Sequence, residues 1–593
     1  SRSAVPIGAA GRSSVSAGTC AAGADVPSLG WGAIAAGAFE SKAKSAIPAV
    51  ASSSGGTVLG TDYTSLDFVT GPAPDPVTVN AIGIVKRILS QRTGLDFKIK
   101  GTKSLRVRLE VIPKVVPPES FRITHGPGDT VTLLAGDPRG IVYGLGKFLH
   151  TCSLTPSGLT PGNWQGLSIP EKPFRKIYFA THYHNFYHSA PVEKVTDYIQ
   201  ELALWGYNGL IVWFDMHHFT GIDDPEAGMM LDRLALFLKE AKRAGMDAGI
   251  TLLANEGYRT TPEKLKATAP TQLKVRGRFG VEICPSQPGG PELIVKQFSE
   301  EMDAFAARGV ELDYLSIWPY DQGGCGCKDC APWGANGFLR MTRRIAALVK
   351  EKRLPTRLVQ STWLFDAKED EGEWSGLAEA YRKERPPVDY IMADSHDAFP
   401  SYPLENPSPG DLPMLNFPEI SMWGSFPWGG FGANPLPQRF QEIWNSVKDK
   451  LAGGFPYSEG LFEDINKVVY SQFYWDSGRP AAETVREYVS FEFSARYADQ
   501  IVEAIGILEK NHGLEKRKGN PKAIVPPQDH GAEKAYRLLT EVDGRLPGNI
   551  RKSWRWRVLR IRAMFDYEFR KNPAMSNGKT DAGFRELIQL HHN

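Results

Sequence analysis

Nowhere does the sequence carry 18 consecutive apolar residues, the length a helix needs to cross a bilayer, so a helical membrane span is not expected. Net charge is nearly absent as well. With 69 basic residues against 67 acidic ones the balance is +2, which removes the electrostatic case for a nucleic-acid or anionic-membrane partner. Cysteine is scarce: six in 593 residues cannot staple a disulfide scaffold of this size, although Cys325, Cys327 and Cys330 fall close together. The Ala-, Ser- and Gly-rich start, residues 1–56, lacks the charged beginning and apolar core of a signal peptide. The expectation is that any targeting segment has already gone and that the chain is secreted or periplasmic. Compositional extremes are missing too. At 42% hydrophobic and 23% charged residues the chain is an ordinary globular protein, not a disordered or fibrous one, and its length suggests about four domains, or fewer if one is a large barrel.

What is present has a clear order. In residues 57–170, apolar residues at helical spacing from Val79 to Leu89, alternation from Leu105 to Val111, two short strands around Gly126-Pro127-Gly128-Asp129 and a helix from Gly140 to Leu149 predict a small α/β domain. Residues 171–480 then alternate strand-like runs with helical patterns, the signature of parallel βα units. The runs begin at Arg175, Asn208, Asp247, Leu312, Thr356, Val388, Leu412 and Gly454. Eight such units close a (β/α)8 TIM barrel. Residues 481–593 carry amphipathic helical patterns only, which predicts an α-helical domain.

In such a barrel, chemistry sits where strands end. The ends here are polar: His182 and His184 after the first run, Asp215, His217 and His218 after the second, and Asn255 and Glu256 after the third. Asp321 closes the fourth run, Asp366 the fifth, Asp394 and Asp397 the sixth, Asn416 and Glu419 the seventh, and Ser458 and Glu459 the eighth. Trp213, Trp318, Trp363, Trp423 and Trp428 are interleaved with them. Aromatic faces stack on pyranose rings, carboxylates bind hydroxyls, and two carboxyl groups about 5 to 9.5 Å apart would do acid/base work on a glycosidic bond. The expected partner is therefore a carbohydrate, and no cofactor is expected. Asp321 is the expected acid and Glu419 the nucleophile or base, with Glu459 and Asp394 as substitutes. His182, His184, Trp213, Asp215, Glu256, Trp318, Trp363 and Asn416 are expected to bind substrate.

Plainer readings stand beside these. A single carboxylate at a strand end often orients a loop or caps the next helix. His182-Tyr183-His184 matches the H-x-H of metal-dependent hydrolases on this fold, but the histidines that such a site needs on the fifth strand are missing. The C-x-C-x2-C of Cys325, Cys327 and Cys330 gives three zinc ligands, with Cys284 as a fourth, or equally a disulfide or free thiols. A barrel that only binds glycans, or a lyase acting on a uronate, also fits the pattern.

The stretch Ala135-Gly-Asp-Pro-Arg-Gly-Ile-Val-Tyr-Gly-Leu-Gly-Lys-Phe-Leu149, preceded by Glu119-Ser-Phe-Arg-Ile-Thr, resembles the small α/β domain that precedes the barrel in β-N-acetylhexosaminidases and α-glucuronidases. Trp318-Pro-Tyr-Asp-Gln-Gly-Gly-Cys-Gly-Cys and Tyr457-Ser-Glu-Gly-Leu-Phe-Glu-Asp-Ile-Asn466 are similar to bacterial proteins grouped with those glycosidases. The resemblance implies an exo-acting glycoside hydrolase. The hexosaminidases place an Asp-Glu pair after strand four, where this chain has Asp321-Gln322, and Gln cannot be a general acid. The α-glucuronidase layout is matched better, by Asp321, Asp394 and Glu419. A uronate would need a cation in the pocket, for which Arg259 and the strand-end histidines are candidates.

Overall fold

A computed structural model describes residues 59–97, 99–268, 280–319, 324–366, 371–396, 398–421, 432–512, 531–571 and 576–592. Asp321, Asp397, Trp423, Trp428 and Cys20 lie outside them. The described residues form two units, the first ending at Ile169 and the second beginning at Pro170.

The first unit is built on a mixed five-stranded sheet in the order β1 (Ser65–Val69), β2 (Ser104–Val111), β4 (Thr130–Ala135), β3 (Phe121–Gly126), β7 (Gly166–Ser168), with a separate hairpin of β5 (Ser153–Thr155) and β6 (Gly158–Thr160). Helices Pro76–Thr93 and Pro138–Thr151 pack on each other, and the second also packs on the sheet. The first buries Ala81, Ile84, Val85 and Ile88, one stripe of a 3.6-residue period. Asp137 caps the second: one carboxylate oxygen accepts from Gly140 N–H at 2.8 Å and the other from Glu119 N–H at 3.0 Å, while Arg139 pairs with Glu119 at 2.9 Å. The Asp-Pro-Arg stretch is thus a helix start tied to a neighbouring loop, with Pro138 in the first turn, where its missing N–H is harmless.

The second unit is a closed parallel barrel. Its strands are β8 (Phe174–Phe179), β9 (Gly209–Trp213), β10 (Asp247–Leu253), β11 (Tyr314–Trp318), β12 (Arg357–Ser361), β13 (Tyr390–Ser395), β14 (Met414–Pro418) and an eighth strand broken into β15 (Leu451–Gly454) and β16 (Tyr457–Ser458). Each pairs with the next in chain order, and β15 and β16 both pair with β8 to close the ring. The eighth strand starts three residues before the expected Gly454, since Leu451-Ala-Gly-Gly has little bulk to mark it, and it breaks around Pro456, which has no N–H for a ladder. The outer helices obey ordinary rules. Pro225–Arg243 begins at Asp224, which accepts from Glu226 N–H at 3.0 Å, and it buries Leu231, Leu234, Leu238 and Ala241. Among the described residues, six α-helices follow the barrel in the same unit: Ala481–Val489, Ala498–Lys510, Ala532–Asp543, Gly548–Lys552, Trp554–Lys571 and Gly578–His592.

Alternate strand residues fill the barrel. Phe174 and Tyr178 on β8, Trp213 on β9, Tyr314 and Trp318 on β11, Met392 on β13, Leu415 and Phe417 on β14, and Phe455 belong to one buried cluster. Closure depends on a glycine. Gly453 has φ 125°, a conformation L side chains rarely adopt, and a Cβ there would lie 1.8 Å from the carbonyl oxygen of Phe174. Gly453→Ala is expected to destabilise the protein by about 3 kcal/mol or more, from backbone strain plus overpacking, as read by urea unfolding. A loss under about 0.5 kcal/mol, the range of neutral surface changes, would show that this closure tolerates a side chain.

Candidate active site at the barrel mouth

The inward parity of the strands, counted to or past their ends, falls on a polar residue in five cases. His182 continues Tyr178 and Ala180, Asp215 continues Ile211 and Trp213, Asp394 continues Met392, Glu419 continues Leu415 and Phe417, and Glu459 continues Phe455 and Tyr457. These are five of the expected site residues. Asn416 has the opposite parity. Its Oδ1 accepts from the hydroxyl of Tyr474 on helix Asp464–Trp475 at 2.7 Å, so its side chain faces the helix layer, not the mouth. One residue along a strand is enough to make that difference.

The eighth strand and its neighbours form a connected set. Tyr457 donates to Glu459 Oε1 at 2.8 Å and its hydroxyl lies 3.5 Å from His182 Nε2. Glu419 is bridged to Tyr457 through the backbone, and its Oε1 accepts from the N–H and the hydroxyl of Ser421 at 2.7 and 2.9 Å. Glu419 and Glu459 are buried, and Asp394 is half-buried. Beneath Glu459 lies a residue to which the sequence reading assigned no role: Glu463 Oε1 accepts from Ser458 Oγ (2.8 Å), Glu459 N–H (2.8 Å) and Gly460 N–H (2.7 Å), with Lys467 Nζ at 3.4 Å. It anchors the turn that presents Glu459. The signal for it was the acidic pair Glu463-Asp464 at the start of an apolar helix.

On the opposite flank, Glu256 Oε1 lies 2.9 Å from His217 Nδ1 and accepts from the His217 backbone N–H at 3.2 Å, while Trp213 Nε1–H donates to Oε2 at 3.3 Å. Burial, reinforced by the Asp215 carboxylate, pushes Glu256 well above the usual carboxylate range, and burial holds His217 down at about 3. Both shifts disfavour charge on the two buried side chains. Asp215 bonds His218 Nδ1, and that bond raises the His218 pKa. Asp215, His217 and His218 offer ligand atoms within 4.8 Å of one another, and in each histidine Nδ1 is the nitrogen paired with a carboxylate. Cys284, Cys325, Cys327 and Cys330 form the other potential metal cluster among the described residues.

His184 is placed differently from His182. Tyr183 and His184 take left-handed φ of 50° and 60°, turning His184 outward to stack on His188 at 5.2 Å, so the two histidines do not share a ligand cluster. His182 is buried, edge-on to Trp213 at 5.2 Å, and its Nδ1 has no hydrogen-bond partner among the described residues. The tryptophans also divide. Trp213 and Trp318 are 1% and 3% exposed and form part of the barrel core, whereas Trp363, beside Trp318 and His396, is half-buried and offers some free face.

No family model matches the chain, and no curated protein matches it. Solved structures do. The chain shares its fold with glycoside hydrolases. A family GH115 4-O-methyl-α-glucuronidase with specificity for decorated arabinogalactans aligns with TM-score 0.55 and 11% identity over 90% of this chain and 76% of that one. A GH138 enzyme targeting pectin rhamnogalacturonan II aligns with TM-score 0.53 and 12% identity over 89% of this chain and 92% of its own. A family 89 glycoside hydrolase from Clostridium perfringens, in complex with PUGNAc, gives 0.55 and 12% over 86% of this chain and 65% of its own. At such identities the likeness concerns the fold alone.

The histidines give a pH test. Burial, with the neighbouring histidines, takes His182 from 6.5 to about 3, as burial does for His217. Below pH 6.5 the unfolded chain gains protons that the folded site refuses, so each histidine removes about 1.4 kcal/mol of stability per pH unit, or about 2 kcal/mol by pH 5. Urea unfolding at pH 7 and pH 5 should show a loss smaller by about 2 kcal/mol in His182→Gln than in the wild type. An equal loss in both would mean that His182 accepts a proton in the folded state.

Proposed function

We propose that the protein is a glycoside hydrolase, exo-acting on an oligo- or polysaccharide, with carboxylate acid/base catalysis at the C-terminal mouth of the barrel. The observation that carries this reading is that Asp394 on β13, and Glu419 and Glu459 one residue past the ends of β14 and β16, have the parity of the residues that fill the barrel. Cleaving a glycosidic bond needs one carboxyl group to protonate the leaving oxygen and a second to attack the anomeric carbon or to activate water. Asp321, three residues after Trp318 in the sequence, is the acid in this reading, and Glu419, oriented by Ser421, is the nucleophile or base. Glu459, which accepts from Tyr457, is the nearest substitute for the acid, and Asp394 for the base. His182, Asp215 and the buried Glu256–His217 pair supply hydrogen-bonding groups for sugar hydroxyls, and Trp363 supplies a stacking face.

The sugar in this reading carries a carboxylate. Arg259 is exposed and close enough to act electrostatically on His217 and His218, so this flank carries a guanidinium. A uronide would find a partner there that a neutral sugar would not use.

The test begins with a panel of aryl glycosides that includes uronides. At least one should release its aglycone. On that substrate Asp321→Asn and Glu419→Gln should each lower kcat by at least about 100-fold with folding intact, the lower end of what general acid/base groups contribute. Near-wild-type turnover in Asp321→Asn with collapse in Glu459→Gln would move the acid to Glu459. Sugar binding without cleavage of any glycoside would leave a glycan-binding barrel and sink the hydrolase reading.

A further inference from the structure

Four cysteine sulfurs from two neighbouring βα loops meet at one point. Cys284 lies in the segment between β10 and helix Gly290–Ala307, and Cys325, Cys327 and Cys330 lie in the loop after β11. Their ligand atoms all lie within 4.8 Å of one another, with Cys284 Sγ 3.8 Å from that of Cys327 and 4.0 Å from that of Cys330. None of the four is joined in a disulfide, and Cys284, Cys325 and Cys330 are buried. A tetrahedral zinc ion with four thiolates at about 2.3 Å would set its sulfurs about 3.8 Å apart. We propose that these four cysteines hold a structural zinc ion as a tetrathiolate.

The surroundings suit such an ion. Ser286 donates its backbone N–H to Cys284 Sγ at 3.4 Å, and its hydroxyl contacts Cys330 Sγ at 3.0 Å, the kind of outer partner that orients metal-bound thiolates. Arg340 donates to Ser286 Oγ at 2.5 Å and to the Asp329 carbonyl at 2.9 Å, which brings a guanidinium toward a centre whose four thiolates outweigh the ion's charge by two. Four soft sulfur donors in a tetrahedron select zinc or iron over magnesium or calcium, and a complete protein ligand set leaves no open position for catalysis. The site is therefore a staple. It joins the same loops that Asn255 joins through Gly324, which donates its N–H to Asn255 Oδ1 at 3.1 Å and accepts from Nδ2 at 3.3 Å. Asp321 precedes Cys325 by four residues in the sequence, but the inference does not depend on the hydrolase reading.

The experiment is metal analysis of the full chain, expressed with zinc in the medium and purified under reducing conditions without chelator. Elemental mass spectrometry should find one zinc per chain. Cys327→Ser and Cys330→Ser should each lose zinc by about tenfold or more, while Cys152→Ser, outside the cluster, should keep it. Because a ligand variant can fail to fold, the wild-type protein is also treated with an organomercurial, which should release zinc stoichiometrically to a chromogenic dye as the thiols react. Zinc below one-tenth per chain, a disulfide among these cysteines in non-reducing peptide mapping, or stoichiometric iron in place of zinc would each overturn the assignment.

Discussion

In a closed barrel every second side chain of a strand must fill the interior, and the candidate site inherits its membership from that constraint. The interior built from Phe174, Tyr178, Trp318, Phe417 and Phe455 is mainly aromatic, with only the small polar side chains of Thr251, Ser316 and Ser361 at the same parity. The larger polar residues of that parity come further along, as His182, Asp215, Asp394, Glu419 and Glu459. Tyr457 straddles the two levels. Its ring stacks on Tyr178 at 5.6 Å, while its hydroxyl reaches Glu459 and His182.

A second set of buried charges holds the eighth strand's loop in place from behind. Asp464 accepts from Tyr488 at 2.6 Å and Arg555 at 2.8 Å, and it also bonds Tyr198, while Arg555 reaches Glu201 at 2.8 Å. Beside it, Glu463 and Lys467 are both almost wholly buried. Removing one partner of such a buried pair typically costs 3 to 5 kcal/mol, because the other charge is left without compensation. Helix Trp554–Lys571, far along the chain, thereby supports the segment that presents Glu459.

How much of this was legible in the sequence depended on what kind of signal carried it. The βα alternation and the strand-end polarity were visible because apolar runs and helical periods are local. Strand β1, Ser65–Val69, was not recognised, since five residues with a central Asp67 make a weak alternation, and the last helix, Gly578–His592, has no strong apolar stripe. Parity at the seventh strand was ambiguous, so Asn416 looked as eligible as Glu419 until pairing placed it against Tyr474. Trp213 and Trp318 were visible as aromatic residues near strand ends, but their depth in the barrel is a property of packing that spacing alone does not express. Cys284 could be offered as a fourth ligand from the sequence only beside a disulfide or free thiols, and the adjacency of β10 and β11 is what places its sulfur with the other three.

In the proposed function, sugar binds and reacts among Asp394, Glu419 and Glu459 at the barrel mouth. The most direct measurement is a crystal structure of the protein soaked with the monosaccharide released from its best aryl glycoside. A sugar ring is expected in the mouth, its anomeric carbon facing Glu419 and its hydroxyls within hydrogen-bond reach of Glu459, His182 or Asp215. A sugar bound elsewhere on the molecule, with those side chains untouched, would contradict it.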